Sequence, residues 1–350
     1  MLEPATMRQR SKPILPILLR RSLTLAVLAL VPAWAAAQQS PPSANPAAAP
    51  DETHKEYTIG VDVNMVVLHA TVLDKNQRMV DNLKGDNFQV YEDGVLQTIS
   101  VFSHADIPVT MGIVIDDSGS MKTKRQAVNS AALTFVKTSN PQDQVFVVNF
   151  NDSPYLDTPG DFAANIEELK AALDKIDSRG GTALYDALMA SLDHLKRGNR
   201  DRKVVLVVTD GEDNSSRYSF DELLKYGQKS NATIYTIGLL GDEEPDGLFK
   251  MHGAGPHHAA KVLRQLAAAT GGVAYFPKSL EEVESICTGI ARDIRNQYTL
   301  AYYPINKKKD GTFRAVRVQV QDPSKRARLI VRTSPGYYAP KTEPTSAASR

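Results

Sequence analysis

The pattern that most constrains the fold is a series of apolar runs separated by helical patterns. Residues 109–115 and 203–208 are apolar at nearly every position, which is typical of strands buried on both faces of a parallel sheet. Shorter runs of the same kind lie at 145–150, 234–237 and 273–276. Strand and helix patterns alternate from residue 107 to residue 297. This predicts an α/β fold, with a doubly wound, mostly parallel sheet and helices on both faces.

Residues that typically begin or end helices flank several of the helical patterns. The first helix is predicted at about 121–138, and Gly198 is predicted to end a later helix as a C-terminal cap. Ser219 with Glu222, and Ser279 with Glu282, have the spacing of capping boxes. Three apolar helix faces are marked by Ile166, Leu169, Leu173 and Ile176; by Leu184, Leu188, Leu192 and Leu195; and by Val283, Ile286, Cys287, Ile290 and Ile294. The single cysteine on the last face is interpreted as a core thiol, and it permits no internal disulfide.

Polar oxygens follow the predicted strands. Asp116, Ser118 and Ser120 alternate directly after the run 109–115, and Asp210 follows the run 203–208. Thr182 lies at the start of a helical pattern. Loops at the carboxyl ends of parallel strands meet at one edge of a sheet, so these side chains are expected to converge. Carboxylates and hydroxyls are hard ligands that suit Mg²⁺ or Ca²⁺ better than zinc or copper.

These residues carry a family resemblance. Residues 107–297 resemble a von Willebrand factor type A domain, and the five polar residues match its metal-ion-dependent adhesion site. The resemblance implies Mg²⁺, with Ca²⁺ or Mn²⁺ as alternatives, held directly by the hydroxyls and directly or through water by the aspartates. It also implies a partner that presents an Asp or Glu carboxylate. Segments 88–94, 297–304 and 335–340 extend the resemblance, over about 56–340, to the bacterial "VWFA-related" family common in acidobacteria.

The N-terminal part has the sequence pattern of an export signal. In residues 1–37, basic residues precede an apolar core at 23–31, and Ala35 and Ala37 fit a small-x-small cleavage site. The alternative is an uncleaved anchor in the membrane. Residues 38–55 are rich in Pro, Ala and Ser and are predicted to be a disordered linker. A periplasmic or secreted location is therefore expected.

The segments on either side of the predicted α/β region are predicted to form strands. Residues 56–106 and 298–338 are predicted to pack together as a smaller β-sandwich-like domain, followed by a tail at 339–350. A hairpin is predicted around the turn at 92–94. The turn carboxylates Asp86, Glu92 and Asp93 are interpreted as solvated groups in preference to a calcium site. The basic residues of the C-terminal strands are interpreted as a solvated face in preference to an anion site; they are Arg314, Arg317, Lys325, Arg326, Arg328 and Arg332.

Other polar residues lie near the predicted site. Asp117 is expected to point away from the metal, and Asp186 to form a local hydrogen bond. Glu212 and Asp213 are expected to tune the local field in preference to binding a second ion. The segment 241–259 is interpreted as a flexible insert that shapes partner choice, although its three histidines raise the alternative of zinc. Those histidines are His252, His257 and His258.

Composition limits the functional classes. A formal net charge of +1 gives no sign of a nucleic-acid partner, and the 42% hydrophobic and 23% charged fractions are typical of a soluble globular protein. The leading hypothesis is an exported, metal-dependent binding or adhesion protein. The alternative is an envelope scaffold or assembly protein whose metal is structural. A metal-dependent hydrolase is the least supported, because the motif loops contain no histidine to serve as a base, and the protein is expected not to be an enzyme.

Overall fold

The computed structural model describes residues 8–9, 65–241, 256–321 and 328–341. The apolar core of the predicted signal, the predicted linker and most of the segment 241–259 lie outside these residues. The strands are β1 (Arg8–Gln9), β2 (Val66–Leu73), β3 (Phe88–Glu92), β4 (Val95–Gln97), β5 (Ile99–Ser103), β6 (Val109–Asp116), β7 (Gln144–Phe150), β8 (Pro154–Leu156), β9 (Arg202–Thr209), β10 (Ala232–Gly238), β11 (Ala274–Tyr275), β12 (Tyr298–Tyr302), β13 (Phe313–Val320), β14 (Ile330–Arg332) and β15 (Gly336–Tyr338). The α-helices are α1 (Arg125–Thr138), α2 (Ile166–Leu173), α3 (Leu184–His194), α4 (Phe220–Lys229), α5 (Pro256–Thr270) and α6 (Glu281–Arg295).

The central sheet confirms the predicted α/β class. Its strand order is β1-β8-β7-β6-β9-β10-β11, and all pairs are parallel except β7 with β8. All eight residues of β6 are buried, because the sheet is covered on both faces. Ile113 and Ile115 pack with α1, α2 and α6, whereas Val114 packs with α3, α4 and α5. Among the described residues, no helix is long and apolar enough to cross a membrane.

Several helix boundaries differ from the prediction. The first helix begins at Arg125, after a 3₁₀ helix at Gly119–Met121. The helix α2 ends at Leu173, so Ile176 lies outside it and is 45% exposed. The capping box at Ser219 and Glu222 is confirmed. The one predicted at Ser279 is wrong: the N-cap of α6 is Leu280, and the Glu282 carboxylate instead accepts a hydrogen bond from the Lys278 backbone N–H.

Gly198 has a different role from the predicted cap. A 3₁₀ helix, Leu195–Arg197, follows α3, and Gly198 has an extended backbone with φ −77° and ψ 150°. A left-handed cap is therefore absent at this residue. A Cβ at Gly198 would lie 2.3 Å from both Oγ1 and Cγ2 of Thr110 in β6. The glycine is required here because the chain passes directly against the central strand.

Two antiparallel sheets flank the α/β domain. Their orders are β14-β2-β12-β5 and β15-β13-β3-β4, so each contains strands from before and after the α/β domain. Their facing sides form one core that includes Leu68, Val90, Leu300 and Val318. The hairpin of β3 and β4 has positive φ angles at its turn, Asp93 and Gly94. After Gln97 the chain crosses to the other sheet, where β5 pairs with β12.

A buried polar network lies inside this sandwich. Glu92 is 2% exposed, and its Oε2 accepts hydrogen bonds from the hydroxyls of Tyr302 (2.8 Å) and Tyr337 (2.9 Å). Its Oε1 lies 3.3 Å from Nη1 of the buried Arg314. The interpretations of Glu92 as a solvated turn carboxylate and of Arg314 as part of a solvated face are therefore wrong. Burial raises the pKa of both tyrosines, and the Glu92 carboxylate raises them further.

A second buried network joins the sandwich to the α/β domain. Asp293 of α6 accepts hydrogen bonds from the Thr71 hydroxyl in β2 (2.6 Å) and the Tyr235 hydroxyl in β10 (2.9 Å). Arg332 of β14 forms an ion pair with the same carboxylate. Gln297 donates hydrogen bonds to Tyr235 Oη (3.1 Å) and Thr71 Oγ1 (3.4 Å). The last helix of the α/β domain thus contacts a sandwich strand that precedes the domain, β2, and one that follows it, β14.

Candidate functional site

The predicted site residues lie on loops at one edge of the central sheet. Asp116 is the last residue of β6, and Asp210 directly follows β9. These strands are parallel neighbours, with Ile115 opposite Val208, so their loops leave the sheet side by side. Thr182 lies two residues before α3, whose buried face packs on the same sheet. The three loops thus meet at the carboxyl ends of the strands, where doubly wound sheets bind ligands.

Asp116 forms the floor of the site. It is 0% exposed; its Oδ1 accepts a hydrogen bond from the Ser118 backbone N–H (2.8 Å), and its Oδ2 accepts one from the Thr209 hydroxyl (2.6 Å). Burial raises the pKa of Asp116, hydrogen bonds from Ser118 and Thr209 oppose that rise, and the nearby Asp210 carboxylate adds to it. The donors to this carboxylate are neutral groups, so a buried negative charge remains without full compensation.

The two serines link the first loop to the third. Ser118 Oγ and Ser120 Oγ are 3.2 Å apart, and the Ser120 hydroxyl donates a hydrogen bond of 2.7 Å to Asp210 Oδ1. The other oxygen of Asp210 lies 2.5 Å from Nζ of Lys124. Lys124 is a residue of the site that the sequence pattern did not identify.

Thr182 belongs to the same site through Gly211 and Asn214. A Cβ at Gly211 would lie 3.7 Å from Thr182 Oγ1, so the hydroxyl is next to the loop that carries Asp210. The Thr182 N–H donates to Asn214 Oδ1 (2.8 Å), and the Asn214 N–H donates to the Thr182 carbonyl (3.0 Å). These reciprocal bonds tie the second and third loops together.

Two further aspartates hold the second loop. Asp117 is buried, and its carboxylate accepts hydrogen bonds from the backbone N–H groups of Asp177 (2.7 Å) and Ser178 (3.1 Å). Its side chain is thus directed at that loop. Asp152, after β7, accepts a bond of 2.7 Å from the Gly181 N–H. Neither contact could be read from the sequence, because the partners are 29 to 61 residues apart.

The third loop is anchored to the start of α3. Asp213 accepts hydrogen bonds from the Tyr185 N–H (3.1 Å) and the Ser216 hydroxyl (2.5 Å), and burial raises the pKa of this aspartate. Asp186 accepts bonds from the N–H groups of Arg217 (2.9 Å) and Tyr218 (3.1 Å). The Asp186 bonds are therefore long-range in sequence. Together these contacts fix the position of Thr182 relative to Asp210.

The chemistry of this set is that of oxygen ligands alone. Among the described residues, no group of three or more His, Cys, Asp and Glu side chains is arranged to hold a metal ion. The site instead combines two carboxylates with the hydroxyls of Ser118, Ser120 and Thr182. Hydroxyl oxygens and carboxylate oxygens are ligands for hard divalent cations.

The cysteine of the chain lies away from this site, in α6. Cys287 is 1% exposed, and burial raises its pKa to about 12, which agrees with a core thiol.

Comparison with known proteins gives a family match within the α/β domain. Residues 111–212 match the family model described as von Willebrand factor type A domain. An uncharacterised protein of Synechocystis is 26% identical over 195 residues, which cover 53% of this chain and 43% of that protein. The inter-alpha-trypsin inhibitor heavy chain H4 of Sus scrofa is 30% identical over 115 residues, which cover 30% of this chain and 12% of that protein.

A solved von Willebrand factor type A structure from Catenulispora acidiphila has a TM-score of 0.47 and 15% identity, covering 83% of this chain and 77% of that chain. The matched sequences span less than half the length of either curated relative. The match to a von Willebrand factor type A domain thus lies at residues 111–212, within the α/β domain, and further β-sheets flank that domain.

Proposed function

We propose that the protein is a binding protein that uses a divalent cation to engage an acidic group of its partner. The domain class supports a role in protein interaction. The observation that carries the proposal is the pairing of two shielded carboxylates with hydroxyls on converging loops. Asp116 is fully buried, and the side chain of Asp210 is 1% exposed. Asp210 already pairs with Lys124. Asp116 instead accepts hydrogen bonds from the neutral Ser118 N–H and Thr209 hydroxyl, so its buried charge is costly unless a further cation compensates it.

The residues present fit a hard cation. Thr209 and Ser120 direct their protons to the carboxylates of Asp116 and Asp210, and beside the contact with Ser118 one oxygen lone pair of Ser120 remains available. Asp116, Ser118, Ser120, Thr182 and Asp210 would hold the ion. Mg²⁺ is the preferred candidate because it takes few protein oxygens and keeps waters, and Ca²⁺ or Mn²⁺ are alternatives.

When bound, the ion would supply an electrophilic position for a carboxylate oxygen of the partner. Hydroxyl ligands are neutral, so this set of residues would leave much of the ion's charge available for an Asp or Glu side chain. The chain's own contribution is to hold the three loops rigidly. Asn214 and Asp117 perform that task through bonds to backbone groups of the second loop.

A catalytic role has less support. The three loops at 116–124, 178–186 and 209–218 contain no histidine, and the carboxylates of Asp117, Asp152 and Asp186 accept bonds from the backbone. Hydrolysis would need a positioned base and an activated water. We therefore propose a non-enzymatic protein, and the predicted export signal at residues 1–37 supports a location in the periplasm or outside the cell.

Calorimetric titration of Mg²⁺ into the metal-stripped protein tests the proposal. Ser120→Ala removes one candidate ligand, Asp116→Asn removes the buried charge, and Ser130→Ala is the matched control on the exposed face of α1. Saturable one-site binding is expected in the wild type and the control, with affinity at least about tenfold weaker in the two site variants. Equal affinity in all four proteins would refute the site.

A second titration separates binding from a structural metal. A peptide that presents an Asp side chain is added with and without Mg²⁺. Metal-dependent binding of the peptide supports the proposed function. Metal binding that raises the melting temperature without recruiting any acidic peptide supports a scaffold protein in its place.

A further inference from the structure

Both carboxylate oxygens of Asp210 have partners within the protein. Its Oδ1 accepts a hydrogen bond from the Ser120 hydroxyl, and its Oδ2 pairs with the ammonium of Lys124 at 2.5 Å. The Lys124 side chain is 30% exposed, whereas that of Asp210 is 1% exposed. The partly exposed lysine therefore lies over the shielded carboxylate of Asp210.

The position of Lys124 is electrostatically unusual. It is the N-cap residue of α1, where the helix dipole disfavours positive charge, and the first turn of α1 contains no acidic residue. The next residue, Arg125, is also basic and is compensated by Asp117 at 3.5 Å. Asp210 gives Lys124 the corresponding compensation from a different loop. The contact is thus a specific ion pair between the first and third loops.

We infer that Lys124 is an internal counter-cation that competes with the divalent ion for Asp210. This inference rests on the proposed metal site. The ammonium stabilises the loops when the metal is absent, and it must share or release the carboxylate when a metal is present. The positive charge also repels a second cation at close range. Lys124 therefore weakens metal binding while it stabilises the metal-free protein.

The test compares Lys124→Gln with Lys122→Gln. Both changes remove one positive charge from the same loop, but Lys122 is exposed and is 2 residues earlier. In calorimetric titrations at low salt, Lys124→Gln is expected to bind Mg²⁺ about tenfold more tightly than the wild type, and Lys122→Gln less than about twofold more tightly. The metal-free Lys124→Gln protein is also expected to melt at a lower temperature than metal-free Lys122→Gln.

The possible results discriminate between the inference and the proposed function. Unchanged Mg²⁺ affinity in Lys124→Gln, with normal binding by the wild type, would overturn the role of Lys124 alone. Equal gains in both variants would also overturn it, because general charge would then explain the effect. Binding by Lys124→Gln but not by the wild type would support the inference in its strongest form. No binding by any of the proteins would overturn both the inference and the metal site.

Discussion

Asp117 organises the candidate site from behind it. Its neighbours in sequence, Asp116 and Ser118, are candidate ligands, but its own carboxylate binds the loop before Thr182. The alternation of the motif predicted that Asp117 points away from the metal. The sequence could not identify its target, because Ser178 is 61 residues away and has no pattern of its own. Ser178 has a positive φ of 38°, a conformation that the hydrogen bonds from its N–H and hydroxyl to Asp117 help to hold.

Asp117→Asn is predicted to destabilise the protein by about 2–4 kcal/mol. The change removes the charge that faces the buried Arg125, 3.5 Å away, and leaves that guanidinium undercompensated. Urea denaturation gives the free energy of unfolding. Asp177→Asn is the matched control, because Asp177 pairs with the 76% exposed Arg179, and its effect is expected to stay below about 1 kcal/mol. Similar losses in both variants would contradict this role of Asp117.

Elements of the central sheet follow closely from the sequence, because burial on both faces gives an unambiguous apolar run. The placement of the five predicted site residues at the ends of strands or before a helix also follows from the sequence. Helix ends were harder to predict. Ser279 and Glu282 have the correct spacing for a capping box, but Glu282 bonds to Lys278 instead. A local pattern cannot show which nearby backbone N–H group the Glu282 side chain will accept a hydrogen bond from in the folded protein.

Alanine substitutions at two glycines in or next to helices are predicted to have opposite effects on stability. Gly198→Ala is expected to destabilise the protein by about 1–3 kcal/mol, because the new Cβ would lie 2.3 Å from Thr110. Gly289→Ala is expected to stabilise it by about 1 kcal/mol, because Gly289 lies in α6 and its Cβ would meet no atom within 4 Å. Thermal or urea unfolding measures both. Destabilisation by Gly289→Ala, or a neutral Gly198→Ala, would contradict the packing described.

At the scale of the whole molecule, buried charges connect parts that are distant in sequence. Glu92 meets Arg314 across 222 residues, and Asp293 meets Thr71 across the same separation. The composition of the C-terminal strands predicted only a solvated basic face. Which arginine is buried depends on strand register and on a partner carboxylate 222 residues away, and neither has a local signal.

The junction between sandwich and α/β domain predicts a dependence of stability on pH. Burial lowers the pKa of His69 in β2 to about 3, and the positive charge of Arg202 contributes. The unfolded chain takes up this proton below about pH 6.5, whereas the folded protein does not, so stability is complete above pH 6.5 and falls below it. The loss from this residue is about 2 kcal/mol by pH 5.

Urea denaturation between pH 7 and pH 5 tests this assignment. His69→Gln is expected to flatten the pH dependence, because glutamine cannot become charged in the unfolded chain. His257→Gln, at an exposed position of α5, is the matched control and is expected to keep the wild-type slope. An unchanged slope in His69→Gln would show that other groups cause the dependence.

The interleaved sheets of the sandwich have a consequence for the order of folding. His69 of β2 and its neighbour Thr299 of β12 are separated by 230 residues, so these strands pair only after the intervening domain has compacted and brought them together. During synthesis β2 has no strand partner until β12 and β14 follow, and β3 can pair only with β4 until β13 follows. The intervening domain can form from local contacts, whereas the sandwich closes last. Its closure therefore requires that the strands before and after the intervening domain are both present and correctly placed.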